Sequence, residues 1–142
     1  MKSTTFSNDV IALLFNATAI ANIADNAASA PLTNLYVGLH TASPGVGGSQ
    51  LTNETAYTNY ARVAVARSGS GWTVASGQAA NVASVSFASC GASGSTVTHV
   101  SIGTASSGAG KVLWAGELNS PLAVVTGVIP TFAPGALVAA EA

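Results

Sequence analysis

Charge is the scarcest thing in this sequence. Nine of its 142 residues carry formal charge, four basic (Lys2, Arg62, Arg67, Lys111) and five acidic (Asp9, Asp25, Glu54, Glu117, Glu141), where an ordinary globular domain carries about a quarter. The net charge of −1 supplies neither the basic stripe that neutralises phosphates nor an acidic field. A nucleic-acid partner is therefore not expected. Cysteine is nearly missing as well: Cys90 stands alone and cannot close an internal disulfide. With two histidines, His40 and His99, and no CxxC, HxxxH or acid-rich loop, no set of metal ligands or cofactor site is visible.

Long apolar runs are also lacking, and none reaches the ~18 residues that span a bilayer. Lys2 precedes the apolar stretch 10–15, and Ala28-Ser29-Ala30 resembles a secretory cleavage site. However, Asn8 and Asp9 sit where a signal would be positive, Asn16, Asn22, Asp25 and Asn26 interrupt the stretch behind it, and Pro31 would come after the cut. Neither a secretory signal nor a membrane partner is expected.

What the chain does have is apolar and small: 49% of residues are hydrophobic, with many Gly, Ala, Ser and Thr, and the mean hydropathy is positive. Its length suits one domain, 1–142, large enough to bury a core without disulfides or metals. Because a soluble monomer normally keeps its surface rich in Lys and Glu, so few charges point to a surface partly covered by other chains.

One helix is expected, over 8–27, where Val10, Leu13, Leu14, Ala17, Ala21 and Ala24 recur at spacings of three and four. Ser7 or Asn8 would cap it, and Pro31 would keep it from continuing past Ala30. Ile11, Phe15, Ile20 and Ile23 lie off the main stripe, so two packing surfaces are predicted, one of them shared with another copy. Strand-like runs follow at 34–41, 61–67, 71–75, 82–87, 97–103, 111–118, 124–129 and, more weakly, 136–139, separated by Gly, Ser, Asn and Pro. Some alternate: Val63 and Val65 with Ala64 and Ala66, and Val85 and Phe87 with Ser84 and Ser86. Eight short runs need two layers to bury their apolar faces, which predicts a mainly β fold: an antiparallel, jelly-roll-like β-sandwich over 34–142 with one N-terminal α-helix.

Two loops, 42–58 and 89–96, have no pattern of their own. Loops beyond about 12–15 residues in a compact domain are usually functional or mobile, and the first, closed by Tyr57 and Tyr60, reads as a contact arm. Catalytic motifs are missing. There is no Gly-x-Ser-x-Gly elbow, no glycine loop opening a helix, and Glu54 with Glu117 is the only plausible carboxylate pair. The chain therefore reads as no enzyme. Aromatics remain: Tyr36, Tyr57, Tyr60, Trp72 and Trp114, residue types that dominate contact surfaces and also plug cores.

The stretch 35–41 (LYVGLHT) with Ser43-Pro44-Gly45, then Thr52-Asn53-Glu54, Tyr57-Thr58-Asn59-Tyr60-Ala61-Arg62-Val63 and Gly71-Trp72, resembles a family of small virion structural proteins of tailed bacteriophages, variously called tail fibre, capsid decoration or cement proteins. The resemblance runs through most of the chain. Members often carry acids at the position of Ser43 and near Val46, which this sequence lacks, so no role of those acids toward a cation or a basic partner carries over. What the resemblance implies is a protein made in the host bacterial cytoplasm and placed on the capsid exterior. There it would bridge subunits of the major capsid protein as a homodimer or homotrimer. A tail or tail-fibre component and a carbohydrate-binding module with Tyr57, Tyr60 or Trp72 as stacking platforms are the alternatives. The expected interface comprises Val10, Leu13 and Leu14 of the helix, Tyr57 and Tyr60 of the arm, Glu54 with Arg62 as rim charges, and Trp72.

Overall fold

In the computed structural model the described residues are 3–20 and 31–141. The described chain is mainly β, antiparallel in its pairings, with one helix at the N-terminal end. Helix α1 is Thr4–Phe15, followed by β1 (Asn34–His40), β2 (Val63–Ala66), β3 (Trp72–Ala75), β4 (Gln78–Asn81), β5 (Val85–Ser86), β6 (Ser95–Gly103), β7 (Val112–Val124), β8 (Thr131–Phe132) and β9 (Val138–Ala140). The strands group as a four-stranded sheet in the order β2-β1-β6-β7, a three-stranded sheet β3-β4-β9 and the short pair β5-β8.

The chain forms two compact units. One comprises Met1–Asn34, Val65–Val85 and Phe132–Ala142, and the other Leu35–Ala64 and Ser86–Thr131. In the first unit α1 lies against β3 and β4. Ser7, Ile11 and Phe15, spaced by four, form its buried face, and Phe15 meets Trp72 edge to face with ring centroids 4.7 Å apart. Asn81, also buried, donates through Nδ2 to the carbonyls of Ala83 (2.8 Å) and Ala133 (2.9 Å) and accepts from Leu137 N (2.8 Å). That satisfies the whole amide and ties the 133–137 turn to β4.

The helix departs from the expected 8–27 at both ends. It starts earlier because Ser3, in an extended conformation, accepts from Phe6 N at 3.2 Å, a side-chain cap one turn ahead of Asn8. It stops at Phe15 because Ala17 turns left-handed (φ 54°) and both Asn16 and Thr18 donate back to Ala12 O. The side-chain amide of Asn16 is then free to donate to the carbonyls of Trp72 and Ser68, each at 3.1 Å. Ala21 and Ala24 of the expected stripe lie outside the described residues.

Two strand expectations also change. Residues 78–81 (QAAN) carry no apolar alternation yet form β4, the centre of the three-stranded sheet. The apolar stretch 124–129 is mostly not strand. β7 ends at Val124, and Gly127 (φ 88°) turns the chain while Val128 N donates to Val125 O.

Candidate functional site

The four-stranded sheet is organised by cross-strand rows. Tyr36, Val37, Gly38, Leu39 and His40 of β1 face Gly103, Ile102, Ser101, Val100 and His99 of β6. Beyond β6, Ser101 faces Ala115 and His99 faces Glu117 of β7. Side chains alternate across a strand, so Tyr36, Gly38 and His40 share one face with Gly103, Ser101 and His99. Two of these six residues are glycines, and the 42–62 loop explains why. A Cβ on Gly103 would lie 2.2 Å from Gln50 Cδ, and one on Gly38 would reach Ser101 Oγ (3.3 Å), Tyr60 OH (3.4 Å) and Glu54 Oε1 (3.5 Å).

The loop is fastened to that face by polar side chains that are themselves buried. Gln50, fully buried, accepts from Ala105 N at 2.9 Å and donates to Tyr36 O at 3.4 Å. Gln50 N donates to Gly110 O at 2.8 Å. His40, also fully buried, has Nδ1 2.9 Å from Thr52 O and Nε2 2.8 Å from Ser101 Oγ. Thr41 N donates to Asn53 O and Thr55 N to Leu39 O, while Asn53 and Asn59 absorb left-handed backbone (φ 55° and 79°), as short polar side chains tolerate.

At the centre is Glu54. Arg62 donates to it through Nε (2.6 Å, Oε1) and Nη2 (2.7 Å, Oε2), and Tyr60 OH donates to Oε1 at 2.8 Å. The guanidinium goes on to Ala105 O (2.9 Å) and Gly108 O (2.8 Å), and the Tyr60 hydroxyl accepts from Leu39 N at 3.0 Å. One carboxylate thus joins the 42–62 loop, β1 and the 104–111 loop. The electrostatics match: the carboxylate bond holds the Arg62 guanidinium above its ordinary value, and burial pushes the Tyr60 phenol well up, so it stays a neutral donor. Burial also raises the Tyr57 phenol, whose hydroxyl donates to Ala88 O at 2.9 Å. Tyr57 and Tyr60 meet edge to face at 5.3 Å, and Tyr60 stacks on Phe87 at 6.0 Å.

This arrangement relocates most of the residues expected at an interface. Glu54 and Arg62 are not rim charges: their side chains are 10% and 2% exposed, because a bidentate pair with its remaining donors satisfied can be taken out of water. Tyr57 is an interior plug and Tyr60 a relay between Glu54 and β1, so the contact arm is a fastened platform rather than an adaptable loop. Trp72 is fully buried, and its indole N–H has no acceptor among the described residues. Val10, Leu13 and Leu14 are half-buried on α1 and are the apolar members of the expected interface that keep some solvent exposure. The apolar side chains that do face solvent are others, Val46, Leu51, Val125 and Ile129 among them. Val46 occupies the tip of the Pro-Gly-Val-Gly-Gly turn, where nothing within the unit needs it.

Sequence reasoning missed Gln50 and Ser101 entirely, and it weighed His40 as a metal ligand against a structural strand-end residue, not as a tie between loop and sheet. The one available signal was glycine inside the strand runs: Gly38 and Gly103 mark places where another chain segment approaches closely. His40 and Ser101 have the spacing of a base and a hydroxyl nucleophile. Both side chains are buried, and Nδ1 faces a backbone carbonyl rather than an orienting carboxylate, so the pair serves as a staple. Cys90 is buried with its thiol toward Ala92 O. Among the described residues no three His, Cys, Asp or Glu side chains cluster as metal ligands, and no helix is long and apolar enough to cross a membrane.

Residues 2–140 match the family model described as Podophage GP4 fiber I protein gp80. No curated protein matches the sequence.

Proposed function

The chain belongs to the Podophage GP4 fiber I protein family, and from that membership we propose that it is a non-enzymatic structural part of a phage fibre that works through protein contacts. The observation that carries this reading is the family match over 2–140, nearly the whole chain. The geometry supports it: the residues best suited to chemistry, His40, Ser101, Glu54, Tyr60 and Arg62, are consumed in fastening one loop to one sheet face. Exposed apolar side chains on a charge-poor chain support self-association as a homodimer or homotrimer.

The capsid-cement reading belongs to the same structural class and differs in station, partner and copy number. It would place the protein on the capsid exterior against the major capsid protein. Gold-labelled antibody on intact virions, with copy number from stained gels, separates the two. Label at the tail with few copies per particle is the expected result. Label over the head with copies in the hundreds would replace the fibre assignment by the cement one. Glycan stacking on Trp72 or Tyr57 has no support, since both rings are interior.

A further inference from the structure

His40 is held by a hydrogen bond at each ring nitrogen and is shut off from water. The carbonyl of Thr52 can only accept, so Nδ1 carries the proton and donates to it. In the neutral ring Nε2 then accepts from the Ser101 hydroxyl. The ring is fully buried and directly joins the 42–62 loop, through Thr52, to β6, through Ser101. Its neighbours in the row are titratable on both sides. Glu54 bridges β1 at His40, His99 of β6 is directly opposite, and Glu117 of β7 lies beyond His99. Of the groups facing His40, the Thr52 carbonyl and Glu54 favour a positive charge, while Arg62 and a protonated His99 oppose it, and burial outweighs them all. The Glu54 carboxylate is already occupied by Arg62 and Tyr60, and Tyr60 is neutral. His99 has Nδ1 bonded to Thr98 Oγ1 at 2.8 Å and is partly exposed.

We infer that His40 is an acid-sensitive latch: acidification makes the loop 41–62 open from the sheet more often, because opening releases to water an imidazole that is wholly buried between loop and sheet in the closed form. The linkage has a definite sign. Burial, the largest cause, holds closed-state His40 below its ordinary 6.5. The closed form keeps its full stability above about 6.5 and loses it as pH falls from there toward the lowered value, with about tenfold in the opening constant per pH unit as the upper limit for one proton. Loosening on acidification is a property of the chain itself and does not depend on the fibre assignment.

Hydrogen exchange of the intact chain at pH 7.5, 6.5 and 5.5, corrected for intrinsic rates, tests it. Protection of the Thr41, Gln50 and Thr55 amides should drop by up to about fivefold between pH 6.5 and 5.5, while amides of β3 and β4 keep theirs. His40→Gln should be more open at every pH and lose the dependence, and His99→Gln should retain it. A flat profile in the wild-type chain overturns the latch. So does a pH response that survives His40→Gln or vanishes in His99→Gln. If His40→Gln does not fold, the wild-type and His99→Gln profiles decide between the same outcomes.

Discussion

Glu54 and Arg62 behave differently as a buried pair than they would on the surface. Exposed ion pairs contribute about 1 kcal/mol or less. Here removing one partner leaves the other buried and uncompensated, which costs about 3–5 kcal/mol. Glu54→Gln and Arg62→Met should each lower the unfolding free energy by that order in denaturant titrations. The double substitution Glu54→Leu with Arg62→Leu should cost well under the sum of the corresponding single changes. Additive costs would mean that the two side chains act separately. Gly103 offers a second test at this scale. Its added methyl would meet Gln50 at both Cγ (2.6 Å) and Cδ (2.2 Å), so Gln50 must leave its pocket and give up the bonds to Ala105 and Tyr36. Gly103→Ala should cost about 1–3 kcal/mol, and Gln50→Ala in the same chain should recover part of it.

At the scale of elements, α1 is held by its C-terminal end as much as by its apolar face. Arg67 sends Nε to Leu14 O and Nη2 to Leu13 O, two helix carbonyls with no partner inside the helix, and Nη1 to Leu32 O at 3.3 Å. A cation is favoured at that end by the helix dipole as well. Arg67→Ala should fray the last turn and loosen the Phe15–Trp72 contact. A loss of about 1.5–3 kcal/mol in stability, with weaker near-ultraviolet circular dichroism from Trp72, is the expected outcome. Unchanged exchange protection at Phe15 and Asn16 would show that packing alone seats the helix. β7 illustrates another element-scale device. Among the described strands it borders only β6, and between Leu122 and Glu117 its register jumps by four residues against one on β6. That irregularity carries Pro121, and a bulge and a proline both discourage further strand pairing at an open edge.

At the scale of the whole molecule, the chain passes between its two compact units at 34/35, 64/65, 85/86 and 131/132. Neither unit is a contiguous piece of sequence, and each has segments of the other inserted between its own. Thermal unfolding should therefore be one transition, with calorimetric and van't Hoff enthalpies equal. Two resolved transitions would mean that the units are independent domains.

Composition and pattern alone determined the class of this protein: mainly β, antiparallel, one N-terminal helix, no disulfide, a charge-poor chain similar to phage virion proteins. Those features are set by residue-by-residue statistics and local periodicity, as with Leu35, Val37 and Leu39 alternating along β1. The role of the polar residues was settled by tertiary structure. Glu54, Tyr60 and Arg62 read as surface contacts because charge and hydroxyl groups normally seek water. What puts them inside is the return of residues 50–62 across a sheet face cleared by Gly38 and Gly103. His40 and Ser101 are 61 residues apart and meet only through the β1–β6 register. Trp72 became a core plug because α1 ends at Phe15, close enough to meet it edge to face. In each case the deciding interaction lies between segments distant in sequence, and local pattern has no access to it.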